Sequence, residues 1–439
     1  MVNPKLHFST DYSISSIIYF LIGIALLAAQ SWLIYGGVEV YGKFTSTYVL
    51  ATVSVFVVII YLLGKRKAQP LQFPSKKGPS PFIWALVSSV IAFLSYEELR
   101  KLFEWEYPNP GKYSDVVPQI EWLFTRFVNG EYPYVPLESF SWKPFPVYMP
   151  FHWLPVGITE LFHLDSRWSG YILLLLVSGL AGYWIGKIKT GGLWKVLALA
   201  LPHVGLWYFI IAKGMSMPVG FELPIMAYYL LLGLGLITGR NWIIILGLVC
   251  CILSRYTLFF WLPFFAILFW LNREKKESFR MWGIVFAAGV ILYVLPFMTQ
   301  DPMVLFKGIA YHNKAVTAEW AGYGDPPESY THRGGIYFAG HFKEMLNGKE
   351  AAYQAKFVRF IQLSMMGILL LVGFLLTRVK QTWHWRHLSL AMLNLMVVTF
   401  YLFSPLTYHY YYLVVTILSA VLVMDLIPTL KAPHADPTE

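Results

Sequence analysis

The chain has 439 residues, of which 57% are hydrophobic, 18% aromatic and only 13% charged, about half the ~25% charge of an ordinary globular domain. A mean hydropathy of +0.55 and repeated apolar runs of membrane-crossing length exclude a soluble enzyme, a disordered chain and a fibrous one. Alternating ~10-residue strands, the mark of a membrane barrel, are missing too.

Windows of ~20 apolar residues bounded by charge or Pro/Gly clusters predict twelve helices, at 13–36, 46–64, 81–96, 168–186, 193–211, 219–238, 242–254, 257–271, 281–298, 357–377, 388–404 and 408–428. The expected class is an all-α polytopic membrane protein. No small-residue cleavage site follows the first run, so it reads as an anchor rather than a signal peptide. As one helix, 242–271 would be ~45 Å long, too long for a ~30 Å hydrocarbon core without steep tilt. Arg240 flanks one end and Arg273, Lys275 and Lys276 the other, which predicts a hairpin turning at Ser254-Arg255. Cys250 and Cys251 are adjacent within this stretch, so neither a disulfide framework nor a CxxC metal site is available.

Charge tests this scheme. With the N-terminus in the cytoplasm, inner segments hold 18 Lys/Arg against 6 Asp/Glu, and outer segments 16 against 18. Lys65-Arg66-Lys67, Lys187-Ile188-Lys189 and Arg378-Val379-Lys380 all fall inside, as the positive-inside rule requires. The formal charge of +10 is therefore mostly an orientation signal, and nucleic acid is not an expected partner.

Residues 1–80 read as an N-terminal hairpin with a basic cytoplasmic loop, 81–430 as the main membrane module, and 431–439 as a cytoplasmic tail. Two long segments, 97–167 and 299–356, fall on the outer side, and loops of that length are usually functional or disordered. In the first, Pro118 suits an opening helical turn, and Ile120, Leu123, Phe124, Phe127 and Val128 form one apolar stripe. Asp115 stands just before that helix, where a cap is its plain alternative role. Glu97, Glu98, Glu104, Glu106 and Glu121 compete with it as acids. The run from Pro144 to Pro155 is too broken by proline to span and suits an interfacial or re-entrant segment buried in protein.

Three motifs carry a resemblance. Ser114-Asp115 is followed by Asn129-Gly130-Glu131-Tyr132-Pro133-Tyr134; later come Arg255-Tyr256-Thr257-Leu258-Phe259-Phe260-Trp261-Leu262-Pro263 and Ser404-Pro405-Leu406-Thr407-Tyr408-His409-Tyr410. In order, spacing and common side they resemble the polyprenol-phosphate-mannose-dependent mannosyltransferases of the GT-C superfamily of membrane glycosyltransferases. The resemblance begins at about residue 85 and leaves the first two spans outside. Two departures stand out: Lys213-Gly214-Met215-Ser216 replaces a Gly-Gln-x-Asn element, and Arg255 stands where lysine is frequent.

The resemblance implies a GT-C-like bundle of about twelve helices, in the cell's inner membrane, acting on its outer face. It further implies sugar transfer, with mannose favoured, from a polyprenyl-phosphate donor to a lipid or glycan hydroxyl. Asp115 is then the expected general base. Arg255 and His409 are expected on the donor phosphate. Tyr113, His312, Asn313 and His152 are candidates for substrate contact, with His332-Arg333-Gly334-Gly335 a weaker one. His409 and His152 equally suit packing, and Arg255 a paired or snorkelling arginine. The outer histidines form no HxxxH, HExxH or Asp-x-Asp cluster, so no metal is required and no cofactor is expected. A transporter or flippase is the rival from another class, but the repeated halves and midplane acids such a protein typically shows are not evident in the sequence.

Overall fold

The computed structural model describes residues 13–66, 68, 70–73, 80–212, 216–322, 337–378 and 382–429. It is all-helical, with no strand among the described residues. The principal helices are α1 (Ile14–Trp32), α2 (Val38–Gly64), α3 (Ser80–Phe93), α4 (Val116–Val128), α5 (Trp168–Gly186), α6 (Gly192–Ala212), α7 (Leu223–Thr238), α8 (Asn241–Ile252), α9 (Leu262–Asn272), α10 (Lys275–Gly289), α11 (Val304–Trp320), α12 (Ala351–Arg378), α13 (Trp385–Leu402) and α14 (Tyr412–Asp425).

Every one of the twelve expected segments contains a helix, but they are not equivalent. Six helices are long and apolar enough to cross a membrane, or seven if Ser80–Phe93 and Tyr96–Glu106 form one span bent by 40°. Leu223–Thr238, Asn241–Ile252, Leu262–Asn272 and His409–Asp425 are shorter apolar helices. Two of them open on proline in the first turn, Pro224 and Pro263, where the missing N–H costs no helical bond and the fixed φ starts the helix late. Burial separates the short helices from the long ones. All of α7 and all of α14 are buried, so they form the centre of the bundle, whereas α12 and α10 expose wide apolar faces such as Phe360, Leu371, Phe279 and Phe286.

Packing is close where the sequence supplies small residues. A Cβ at Gly182 of α5 would lie 2.2 Å from the Trp84 carbonyl oxygen of α3, so only glycine permits that approach. The N-terminal pair α1–α2 packs on the same body: Phe20 meets Trp194 edge to face at 5.7 Å, and Tyr61 donates to Asp425 at 2.8 Å.

The predicted turn at Ser254-Arg255 is present. Arg386 donates to the Ile237 carbonyl at 3.0 Å, at the end of α7 just before α8 begins, and Arg273, at the end of α9, stacks over Trp385 at 5.6 Å. The two ends of the α8–α9 pair remote from the turn therefore meet the same helix start, and the chain reverses between them. Helix α4 buries Val117, Ile120 and Leu123, while Phe127 and Val128, expected on that stripe, are 40% and 59% exposed. The proline-rich run folds into short helices Pro150–Trp153 and Val156–Glu160, with His152 and Trp153 fully interior. Buried placement of that run in protein is as expected.

Candidate functional site

The site is assembled at the reversal between α8 and α9. The Arg255 backbone is extended, and its N–H bonds the Cys251 carbonyl at 3.1 Å, so the side chain leaves the helix end rather than continuing along it. Phe151 N–H donates to the Leu253 carbonyl at 2.8 Å, tying the proline-rich run to this turn. The Arg255 guanidinium is ion-paired to Glu222, donates to the Tyr401 hydroxyl at 3.3 Å and lies 4.3 Å over the Tyr411 ring. Its side chain is 13% exposed, that of Glu222 only 2%.

Glu222 immediately precedes α7 and was not among the residues singled out from the sequence. It stands in Phe221-Glu222-Leu223-Pro224, inside a predicted apolar span. The signal was there, because an ionisable residue within a membrane segment is a functional candidate by default. Its second carboxylate oxygen is buried with no hydrogen-bond partner among the described residues.

Two folded loops bring the rest. The chain after α4 turns at Gly130, whose φ of +73° suits glycine. Arg126 of α4 secures that turn by donating to the Tyr132 carbonyl at 2.9 Å and pairing with Glu131 at 2.7 Å. Tyr134 is then buried, with its hydroxyl on the Tyr148 carbonyl at 3.1 Å. At the other side the Ser404-Pro405 bend is held by Ser404 Oγ on the Leu406 carbonyl at 2.7 Å and by Trp320 Nε1 on the Pro405 carbonyl at 2.8 Å. That bend delivers Tyr408 to Tyr411 to the site.

Asp115 takes the N-cap position of α4 and is half-buried, but its carboxylate makes no capping bond. Its Oδ2 instead accepts from Trp142 Nε1 at 3.3 Å. The local reasons are the Asp115 backbone, helical (φ −87°, ψ −4°) rather than extended as a capping residue's is, and Pro118, which leaves N3 without an N–H. The charges of Asp115 and Arg255 are both felt at Tyr148. Burial foremost raises that phenol well above its usual value; the Tyr411, Asp115 and Glu222 charges raise it further and Arg255 opposes them. Tyr311 of α11 is raised by burial and then by Asp115.

The other candidates are distributed differently. Tyr113 is 52% exposed, its ring against Tyr107 at 5.4 Å. His312 and Asn313 are exposed on α11, and Tyr311 beside them is the residue under Asp115's influence. His152 is 1% exposed, with Nε2 3.0 Å from the Phe221 carbonyl and its ring 4.7 Å from Tyr148. It therefore stands in the wall behind the site rather than on its surface, and burial, then Arg255, keeps it well below the usual histidine range. His409 is half-buried and opens the turn His409–Tyr411. Among the competing acids, Glu97 and Glu98 pair with Arg100 and Lys101, each at 2.8 Å, and Glu121 accepts from Ser166 at 2.8 Å. Glu104 and Glu106 are exposed. His332-Arg333-Gly334-Gly335 and Lys213-Gly214-Met215 lie outside the described residues, as do Lys67, Val379-Lys380 and the tail.

Among the described residues no three His, Cys, Asp or Glu side chains gather as a metal-binding group. The arrangement thus offers a half-buried carboxylate on one loop and, at the α8–α9 turn, a cation with partial access beside two tyrosines. Comparison of the chain with models of protein families, with curated proteins and with solved structures gave no match.

Proposed function

We propose that the chain is an integral membrane glycosyltransferase, taking a sugar from a polyprenyl-phosphate donor and passing it to a hydroxyl of a lipid or glycan acceptor. Mannose is the favoured sugar, and a GT-C-like bundle of about twelve helices in the inner membrane, with the site facing outward, is the architecture. One observation carries the reading: Arg255, at the α8–α9 turn to which the proline-rich run is hydrogen-bonded, keeps a partly exposed guanidinium beside Tyr401 and Tyr411, and half-buried Asp115 stands before α4 with its carboxylate on Trp142.

In this mechanism the donor phosphate lies against Arg255, with His409 beside it. The acceptor hydroxyl attacks the anomeric carbon from the face opposite the phosphate. As the new C–O bond forms, the bond from that carbon to the phosphate oxygen breaks, and the electron pair leaves with the polyprenyl phosphate. Asp115, half-buried before α4, takes the hydroxyl proton. Arg255 stabilises the charge that returns to the phosphate, an effect strengthened where water is scarce.

Radiolabelled sugar supplied on a short polyprenyl phosphate tests this directly. Transfer of label into an extracted glycolipid by the purified chain is the expected result. Movement of labelled substrate across proteoliposomes without any change in its covalent linkage would replace the transferase with a transporter.

A further inference from the structure

Arg255 and Glu222 are unequally provided for. Arg255 has Glu222, the Tyr401 hydroxyl and the Tyr411 ring, and its guanidinium carries further N–H groups beyond the two engaged. Glu222 has Arg255 alone, and its second oxygen has no hydrogen-bond partner among the described residues although the side chain is 2% exposed. A buried anion held by one cation is a competitor for any other anion that approaches that cation. A small cavity of about 10 Å³ adjoins Glu222 and is also lined by Arg167, Phe103 and Met217. That is room for about one water, which gives the carboxylate somewhere to turn.

We propose that Glu222 is a positioning residue and the resident counter-anion of the phosphate site: it holds the Arg255 guanidinium against Tyr401 and Tyr411, and a phosphate headgroup binds by taking that guanidinium from it. This rests on the donor-site reading above, and adds that the site is self-inhibited at rest. Binding then exchanges one anion for another on the same cation, so the headgroup's affinity is set by how firmly Glu222 holds on. Such a site rejects weak anions and accepts a phosphate that can use the guanidinium fork.

The experiment measures equilibrium binding rather than turnover, on the full chain in detergent, with farnesyl phosphate and inorganic phosphate in separate arms. Glu222→Gln keeps the size and removes the competing charge. It should bind at least about tenfold more tightly than the parent, the low end of what close charge pairs couple, while Arg255→Ala should bind neither probe. Tightening for farnesyl phosphate alone assigns a lipid-borne ligand, and tightening in both arms assigns the phosphate group itself; either supports the proposal. Unchanged or weaker binding in a folded Gln variant overturns it and leaves Glu222 as a structural partner. Binding by neither probe to the parent or to Glu222→Gln overturns the donor site as well. Should the Gln variant not fold, infrared difference spectra of the Asp115→Asn chain give a second readout. Farnesyl phosphate must then perturb a carboxylate band, and binding with no such change overturns the exchange.

Discussion

Two buried polar clusters occupy opposite ends of α14, and they differ in what they leave open. At the Asp425 end, one carboxylate oxygen accepts from Tyr61 at 2.8 Å and pairs with Lys65 at 3.2 Å, with His387 Nε2 at 3.7 Å. The side chains of Asp425, Lys65 and His387 are all 6% exposed or less. At the Tyr411 end, Arg255 keeps partial access and unused donors, and half-buried Asp115 stands nearby on a separate loop. The first cluster joins α2 to α13 and α14, and so fastens the N-terminal hairpin to the bundle. The second joins the α8–α9 turn, the start of α7, the end of α13 and the loop before α14. Buried ion pairs are weak arguments for stability in themselves; what separates a tether from a site is whether a cation retains free donors and some exposure, as Arg255 does.

The comparison can be broken at either end. The largest expected effect is on turnover at the Tyr411 end, from Asp115→Asn. Loss of a general base costs about 10²–10⁴ in rate, and the melting temperature should hardly move because the carboxylate makes no capping bond. Near-normal turnover in the purified variant would return the search to the remaining outer acids and to Glu222. Next comes Asp425→Ala, which strands Lys65 in the interior and should cost about 3–5 kcal/mol. Denaturation should show that loss, with turnover per folded molecule preserved; a turnover defect without lost stability would make the Asp425 end functional too. The least disruptive test concerns which side the site faces. Lys112 and Lys349 are exposed, and the native Cys250 and Cys251 are buried, so single cysteines at 112 and 349 report cleanly. Both should react with an impermeant thiol reagent in intact cells at little cost to activity. Protection of both until lysis would put the Tyr411 end in the cytoplasm and remove the lipid-donor argument.

Much of the helical framework was readable because burial in a membrane chain leaves a coarse mark, long apolar runs interrupted by charge and proline. The reversal at Ser254-Arg255 was readable for the same reason, since Arg240 and Arg273 cannot both end a single span of that length. Asp115 was readable as the residue before a helix with proline in its first turn, though not that its own backbone would be helical there and its carboxylate would go to Trp142. Glu222 was concealed by the apolar residues around it. An acid in such a run is tolerable only beside a cation, and that cation lies 33 residues further on.

By itself, then, the sequence determined the all-helical membrane class, the position of its helices, the hairpin turn and the basic character of one set of loops. These follow from the local rule that backbone and side chains in an apolar medium must satisfy themselves within a short segment. Tertiary structure alone decided that α7 and α14 are the fully buried centre, that Arg255 is held by Glu222, and that Asp115 receives Trp142. It also decided that Asp425 receives Tyr61 and Lys65 from the N-terminal hairpin. Each of those is a pairing between distant segments, and in a chain this uniformly apolar many helix faces would serve equally well by hydropathy. Which faces meet is settled by shape, as where Gly182 admits the backbone of Trp84, and by the need of each buried charge for a partner.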